Sequence, residues 1–395
     1  MTKESIVIVG ASRTPMGAML GNLSSVKATE LGSYAISGAI NQSGLEKSQI
    51  DATFMGCVLP AGLGQAPARQ AALGAKIPDS SVSVTINKMC GSGMQSVIQA
   101  NDTIRADSHE IIVAGGLESM SNAPYLIPKA RNGYRLGHGE IKDHMFLDGL
   151  EDAYEHGTLM GKFADQAAQK YQFTRQEQDD FAIESVRRAQ EAISNDIFND
   201  EITNVNIVSR KNTITVQTDE LPGKAKIDKI PELRPAFSKE GTVTAANASS
   251  ISDGAAALVI MKESKALEMG LKPLARILGH SSHAKKPSEF TSAPVGAIDS
   301  LLKRIKININ EIDIFEINEA FAVVTMIAMK ELGIDHSKVN IYGGACALGH
   351  PIGASGARII VTLLNALTKR DKTIGLASLC IGGGEATAIA LERLN

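Results

Sequence analysis

Long apolar runs are missing from this chain, and none approaches the roughly 20 residues that a bilayer-spanning helix needs, so no membrane partner is expected. Charge of one sign is missing too. Lys and Arg number 40 against 43 Asp and Glu, a net charge of −3, which supplies no basic field for nucleic acid. Local pairs such as Lys285-Lys286 and Arg187-Arg188 read as solvated surface. Cysteine is sparse and dispersed: Cys57, Cys90, Cys346 and Cys380 form no C-x-x-C pair, and the histidines show no H-E-x-x-H spacing. Metal is therefore not expected, and neither is a structural disulfide. The opening Met1-Thr2-Lys3-Glu4-Ser5 runs straight into Ile6-Val7-Ile8-Val9, too short for a signal segment, which points to a cytoplasmic location.

With 395 residues, 44% of them hydrophobic, the chain can build large cores in two or three domains. The pattern predicts a strand over Ile6–Val9, a glycine-containing loop to Gly17, a helix over Ala28–Ser43, a strand over Asp51–Val58 and a helix near Ala66–Leu73. A further strand follows at Glu110–Gly116. Strand–helix alternation of this kind implies α/β layering around a largely parallel sheet. The first loop lacks G-x-G-x-x-G, so a dinucleotide site is not supported. From Ser121 to about Ser249 the composition turns polar, as in an excursion laid over the core. Within it, Thr174-Arg175-Gln176-Glu177 fits a capping box, with Phe181, Val186, Ala189 and Ile193 as the apolar side. Gly157–Phe163 has the wrong spacing for a P-loop.

The focal stretch is Asn87-Lys88-Met89-Cys90-Gly91-Ser92-Gly93-Met94. Val82, Val84 and Ile86 alternate as a half-buried strand before it, and Met94, Val97, Ile98 and Ile104 recur at helical spacing after it. Cys90 thus falls where a strand hands over to a helix. Unpaired N–H groups and the helix dipole there favour a thiolate, and Gly91 and Gly93 leave room for another molecule. An isolated Cys is more often a small buried hydrophobe; its place at the turn, beyond the apolar run, favours a nucleophile.

The second half repeats these landmarks. Asp313–Phe321 parallels the segment opening at Asp51, and Val339–Tyr342, a glycine-rich turn, a helix over about Gly356–Leu367, a strand over Lys372–Leu379 and Gly382-Gly383-Gly384 parallel the series from Val84 to Gly116. Two similar domains packed together would produce this echo, although α/β chains resemble one another by default. The second half adds His350 in Gly349-His350-Pro351-Ile352-Gly353 and Cys380 at a strand end before three glycines. Strand ends are where α/β proteins gather ligands.

Taken together, Asn87–Gly93, Asn318-Glu319-Ala320-Phe321, Gly349–Gly356 and Cys380–Gly384 resemble the motifs of the thiolase family, in its acetyl-CoA acetyltransferase branch, and the match runs essentially end to end. The resemblance implies an α/β thiolase fold: two duplicated βαβαβαββ halves forming a five-layered αβαβα sandwich, with an inserted loop domain. The halves would span 1–120 with 250–271, and 272–395. The loop domain, for CoA binding and assembly, would span 121–249. The implied reaction is the reversible Claisen condensation of two acetyl-CoA to acetoacetyl-CoA and CoA. Coenzyme A enters as part of the substrate and no other cofactor is implied; a homo-oligomer is, either a dimer or a tetramer built as a dimer of dimers.

Carried over by position, Cys90 resembles the acyl-accepting nucleophile, Cys380 the acid/base for the substrate α-proton, and His350 the group that activates Cys90. Asn318 would hold a water that forms one oxyanion hole with His350, and the N–H groups of Cys90 and Gly382 would form the other. Met160, Phe237, Ala245, Ser249, Ala320 and Phe321 match positions lining the CoA and acyl pocket. Tyr342, Cys346 and Glu385 depart from the commoner family pattern, Phe290 stands where Met is frequent, and no Arg is found for the adenine. The alternatives are a 3-ketoacyl-CoA thiolase of fatty-acid β-oxidation with broader chain length, a carrier-protein ketosynthase and a non-catalytic acyl-CoA-binding relative. Both thiols and the Asn318–Phe321 motif speak against the last two.

Overall fold

The computed structural model describes residues 4–208 and 212–394; the lead-in Met1–Lys3 lies outside them. Strand β1 (Ile6–Arg13) is longer than the sequence suggests. Gly10 does not end it, because the register shift between Ile8 and Gly10 is absorbed as a bulge against the antiparallel neighbour. A Cβ at Gly10 would overlap the Ala39 carbonyl oxygen, so the glycine serves close packing of the following helix. That helix, α1 (Ala28–Ser43), has the predicted bounds and stops at Gly44, whose φ of 74° closes a left-handed cap.

Then come β2 (Ala52–Gly56), α2 (Pro67–Gly74), β3 (Val82–Ile86), α3 (Ser92–Arg105) and β4 (Ile111–Ser119). The excursion holds α4 (Met160–Tyr171) and α5 (Arg175–Ser194). The capping box forms as expected: the Glu177 N–H donates to Thr174 Oγ1 at 3.2 Å, and Glu177 Oε2 accepts from the Thr174 N–H at 2.7 Å. The chain returns through β5 (Ser252–Lys262) and β6 (Ala275–Ala284), followed by α6 (Ala293–Ile305), β7 (Ile314–Ile317) and α7 (Ala322–Leu332). It closes with α8 (Ile352–Lys369), β8 (Ile374–Ile381) and β9 (Glu385–Arg393).

The strands run in the order β7-β8-β9-β6-β1-β5-β4-β2-β3. β1 and β6 meet over only two residue pairs, Val7 with Arg276 and Ile8 with Ala275, and there the two half-sheets join. The chain forms five layers: α1 and α2 cover the first half-sheet, α6 and α7 cover the second, and α3 and α8 lie between them. α8 is buried from Ile352 to Leu367; most of it is apolar, and the polar residues Ser355, Arg358, Thr362 and Asn365 recur on one face, where each has a hydrogen-bond partner.

The duplication extends to single hydrogen bonds. Asp51 Oδ2 accepts from the N–H groups of Glu110 and Ile111 at 2.8 and 2.9 Å, and Asp313 Oδ2 accepts from those of Thr373 and Ile374 at 3.0 and 2.9 Å. In each half an aspartate at the start of one parallel strand ties down the start of its neighbour.

Three expectations fail. The sheet is not largely parallel: β7 with β8, β2 with β4 and β2 with β3 pair in parallel, while the other five neighbouring pairs are antiparallel, since β8 turns straight into β9 through three glycines and β1, β5 and β6 fill the middle of the sheet by antiparallel pairing. Val82 and Val84 are 49% and 46% exposed, so β3 is an apolar edge strand and not a half-buried one. Val339–Tyr342 forms no strand, only a single parallel bridge from Val339 to Phe315. Asn340, at φ 47°, takes over the pairing with its side chain: Oδ1 accepts from the Ile317 N–H and Nδ2 donates to the Ile317 carbonyl, both at 2.8 Å.

Candidate active site

Cys90 sits on a tight turn between β3 and α3. The Gly91 N–H donates to the Lys88 carbonyl at 3.0 Å. Ser92 Oγ accepts from the Lys88 N–H at 2.8 Å and donates to the Met89 carbonyl at 2.6 Å. Met89 is held at φ 48°, an unusual conformation for a residue with a long side chain. The turn faces the Gly382 loop from the other half, with Ile381 Cδ1 packed on Gly91, and the N–H groups of Gly382 and of Cys90 itself lie near enough to Cys90 Sγ to favour its thiolate. Burial outweighs these donors and pushes the thiol up to about 11. The expectation of a thiolate at this junction is thereby corrected, since a desolvated sulfur loses more from leaving water than two donors return. Cys90 is a thiol at neutral pH and needs a base.

Cys380 is the last residue but one of β8 and is buried; its thiol is raised well above the usual range by burial and then by the charge of Cys90. Gly383 and Gly384, at φ 93° and 91°, turn the chain after it. His350 lies just ahead of α8. Its Nδ1 is 2.6 Å from Ser355 Oγ, which donates its only proton to the Pro351 carbonyl at 3.0 Å. Nδ1 therefore carries the imidazole proton. Nε2 is buried, bare and without a hydrogen-bond partner, Cys90 included. Burial, aided by the charge of Arg358, lowers His350 to about 3, so the ring is neutral and able to accept a proton.

Asn318 Nδ2 is also buried without a hydrogen-bond partner, as are Glu316 Oε1 and Arg358 Nε nearby. Its Oδ1 accepts from Arg358 Nη2 at 3.5 Å, which fixes the amide with the donor side open. Arg358 also pairs with Glu316 at 3.5 Å, and burial pushes that carboxyl up to about 8. Glu319 knits the neighbouring turns: its carboxylate accepts from Asn340 Nδ2, Ser185 Oγ and the Cys346 N–H at 2.8, 2.7 and 3.0 Å. Glu118, raised to about 7 by burial, accepts from the N–H groups of Val58, Leu59 and Gly353 and so anchors the loop carrying His350.

Met160, Phe237, Ala320, Phe321 and Phe290 gather around Cys380 in one apolar cluster. Phe321 takes edge contacts from Phe237 and Phe290 at centroid distances of 5.9 and 6.3 Å. The Ser249 N–H donates to the Ala320 carbonyl at 3.0 Å, and the next residue, Ser250, accepts from the His350 N–H at 3.0 Å, so this loop borders the same site. Ala245 lies apart from that cluster. It lines a cavity of about 370 Å³ with Lys224, Lys226, Lys229, Leu233 and Ser250. Tyr342 packs edge-on to Phe198 at 6.3 Å, outside the Cys380 cluster. Sequence reasoning missed Ser355, Arg358, Glu316 and Glu118 as supporting residues. Of these only Ser355 carried a signal, as the polar residue inside the motif that follows His350.

Chemically, a thiol flanked by N–H donors, a second thiol within electrostatic reach and a neutral imidazole with a bare nitrogen suit transfer of an acyl group through a thioester. The fold and these groups define an acyl-transfer enzyme on a duplicated α/β scaffold. The chain belongs to the thiolase family: residues 6–264 match the thiolase N-terminal domain and residues 271–393 the thiolase C-terminal domain. It is 49% identical to a probable acetyl-CoA acetyltransferase of Dictyostelium discoideum, over 99% of this chain and 94% of that protein. It is likewise 49% identical to the acetyl-CoA acetyltransferase of Escherichia coli K12, over 99% and 100%. Among solved structures, the Bacillus anthracis acetyl-CoA acetyltransferase superposes with a TM-score of 0.96 at 40% identity, covering 99% of each chain. An Ascaris suum thiolase in complex with coenzyme A superposes with a TM-score of 0.93 at 42% identity, covering 99% and 100%.

Proposed function

We infer that the chain is an acetyl-CoA C-acetyltransferase, joining two acetyl-CoA into acetoacetyl-CoA and CoA and running the reverse thiolysis. The observation that carries this reading is the convergence of the two halves on one sulfur, with Ile381 packed on Gly91 beside Cys90, the Gly382 N–H near enough to favour a Cys90 thiolate, and Cys380 close enough for its titration to feel Cys90.

In the proposed sequence His350 Nε2 takes the Cys90 proton as Sγ attacks the thioester carbonyl, and the Cys90 and Gly382 N–H groups hold the developing oxyanion. The C–S bond to CoA breaks, Cys380 protonates the departing sulfur and is left as thiolate. That thiolate removes a methyl proton from the second acetyl-CoA. The enolate, steadied by His350 and a water on Asn318, attacks acetyl-Cys90. A C–C bond forms, the Cys90 thioester breaks, and the protonated His350 returns its proton to the sulfur. Coenzyme A arrives with the substrate, and the reading requires no cofactor besides it.

The Lys224, Lys226 and Lys229 ammonium groups around the cavity beside Ala245 suit the phosphates of the CoA nucleotide, a role for which the sequence offered no Arg. Residues 121–249 would then be the CoA-binding domain. A homo-oligomer, with a tetramer as its full form, is supported by exposed apolar side chains: Val82 and Val84 on the edge strand, and Ile127, Leu136 and Ile141 in the excursion. A cytoplasmic place in fatty-acid metabolism belongs to the same reading; no described helix is long and apolar enough to cross a membrane.

Acetyl-CoA should leave one acetyl group on Cys90, found by mass spectrometry of the isolated peptide, and acetoacetyl-CoA should be cleaved faster than a medium-chain 3-ketoacyl-CoA. An unlabelled Cys90 would end the reading. Preference for the longer substrate would turn it into the β-oxidation thiolase.

A further inference from the structure

We propose that Lys88 and Glu385 form an ion-pair clamp that sets the Cys90 turn against the Gly382 loop, making both positioning residues for acetyl transfer. The inference rests on the acyl-transfer reading above. Lys88 Nζ is bonded to Glu385 Oε2 across 297 positions of sequence, from one half of the chain to the other. Each partner stands at the edge of the group it would position. Lys88 precedes Cys90 by two residues, and its own backbone closes the turn: its carbonyl accepts from Gly91 and its N–H donates to Ser92 Oγ. Glu385 opens β9 immediately after the three glycines, where it pairs with Ile381 on one side and Ala284 on the other.

Between these anchors the two segments meet: a Cβ on Gly91 would come within 2.4 Å of Ile381 Cδ1, and the Gly382 N–H lies near enough to Cys90 Sγ to favour its thiolate. The Gly382 loop needs such a tie. Gly383 and Gly384 are the backbone-permissive residues of the loop, and a Cβ added at Gly382 would meet only Met160 Sδ, at 3.7 Å. Gly384 is packed tightly against the Lys285 and Lys286 carbonyls, so the loose point is Gly382, and a donor there holds its aim only if the residues on either side of it are fixed relative to the sulfur. The side chains are 24% and 40% exposed, so the pair is shielded enough to persist but too wet to add much to global stability. Its effect should therefore fall on geometry, where a displacement of about 1 Å costs up to a hundredfold in rate.

Glu385→Gln, Lys88→Glu, Glu385→Lys and the charge-swapped double variant Lys88→Glu/Glu385→Lys test this in the full-length protein. The readouts are single-turnover acetylation of Cys90, KM for acetyl-CoA and the melting temperature. Glu385→Gln should slow acetylation by about tenfold, within the range for a misplaced group, with KM and melting temperature nearly unchanged. The double variant should recover most of the rate that either charge-reversed single variant loses. Acetylation at the wild-type rate in Glu385→Gln, or a double variant no faster than the slower charge-reversed single variant, overturns the clamp. A merely structural pair would move the melting temperature and leave the acetylation rate of the folded protein alone. If the wild-type protein itself is never acetylated, the acyl-transfer reading has failed, and the clamp falls with it for that separate reason.

Discussion

His350 Nδ1 lies 2.6 Å from Ser355 Oγ, and this one contact decides which imidazole nitrogen is bare. With the serine proton committed to Pro351, Nδ1–H is the donor and Nε2 keeps its lone pair. Ser355→Ala should therefore lower kcat by about ten- to a hundredfold with little change in KM, the range for losing a group that orients a functional histidine. Ser355→Thr, which keeps the hydroxyl, should recover part of the loss. Steady-state kinetics of all three proteins check this, and an unchanged kcat in the alanine variant would remove Ser355 from the catalytic account.

Cys380 and Cys90 share a charge balance. Burial chiefly holds the Cys380 thiol high, and the Cys90 thiolate, which forms only as pH rises through about 11, adds to it, so at such pH Cys380 should become easier to ionise once Cys90 is acetylated. Alkylation of Cys380 should shift to lower pH in acetylated protein. Cys380→Ala should still accept acetyl on Cys90 but lose condensation by at least about a hundredfold, the lower end for removing a general acid–base. Peptide mapping and an acetoacetyl-CoA assay separate the two steps.

Phe290 is 2% exposed and lies edge-on to Phe321 in the cluster that contains Cys380. Shortening it to Ala removes apolar volume near the second thiol. The ratio of turnover on a six-carbon 3-ketoacyl-CoA to that on acetoacetyl-CoA should rise by roughly ten- to a hundredfold, as expected for one or two methylenes of pocket space. A constant ratio would place chain-length control elsewhere.

Gly384 and Gly383 have nearly the same φ but different neighbours. A Cβ on Gly384 would come within 2.6 Å of the Lys285 and Lys286 carbonyl oxygens, whereas one on Gly383 meets nothing within 4 Å. Gly383→Ala should cost only the backbone strain, about 1–2 kcal/mol, and Gly384→Ala about 1–3 kcal/mol more for the overlap. Urea denaturation of the two variants measures the difference, and equal losses would contradict the packing described for the loop.

Glu118 gives a pH test. Its carboxyl is raised from 4.5 to about 7 by burial, so the folded protein holds this proton more tightly than the unfolded chain. The resulting stability is fully present below about 4.5 and is lost as pH rises through about 7. Between pH 5 and 7.5 the melting temperature of the wild-type protein should fall relative to that of Glu118→Gln. Parallel curves would mean that the buried carboxyl ionises normally.

The groups proposed to act on substrate were legible because each sits in a short run of distinctive residues: Cys90 among glycines at a strand–helix junction, His350 between Gly349 and Pro351, Cys380 before three glycines. The duplication was legible for a similar reason, in the order of its landmarks and in Asp51 and Asp313. The groups that hold these in place were not. Lys88 with Glu385, Arg358 with Glu316 and Glu118 with Gly353 are pairings across 297, 42 and 235 positions, and no local periodicity encodes them. Alternation alone gave Val82 and Val84 a buried face because it reads the strand and not its place at the sheet edge. The Val339–Tyr342 strand failed because a side chain, Asn340, made the ladder bonds that a backbone segment would have made.

The enclosure of α8 has a consequence for biosynthesis. Translated from its N-terminus, the nascent polypeptide presents the Cys90 helix long before the segment that will shield its inner side has left the ribosome. Until residues near 369 emerge, the first half carries an open apolar floor that belongs against a helix not yet made. Truncated products should thus be sticky as well as inert, and premature stops late in the message should yield aggregates instead of a smaller working enzyme.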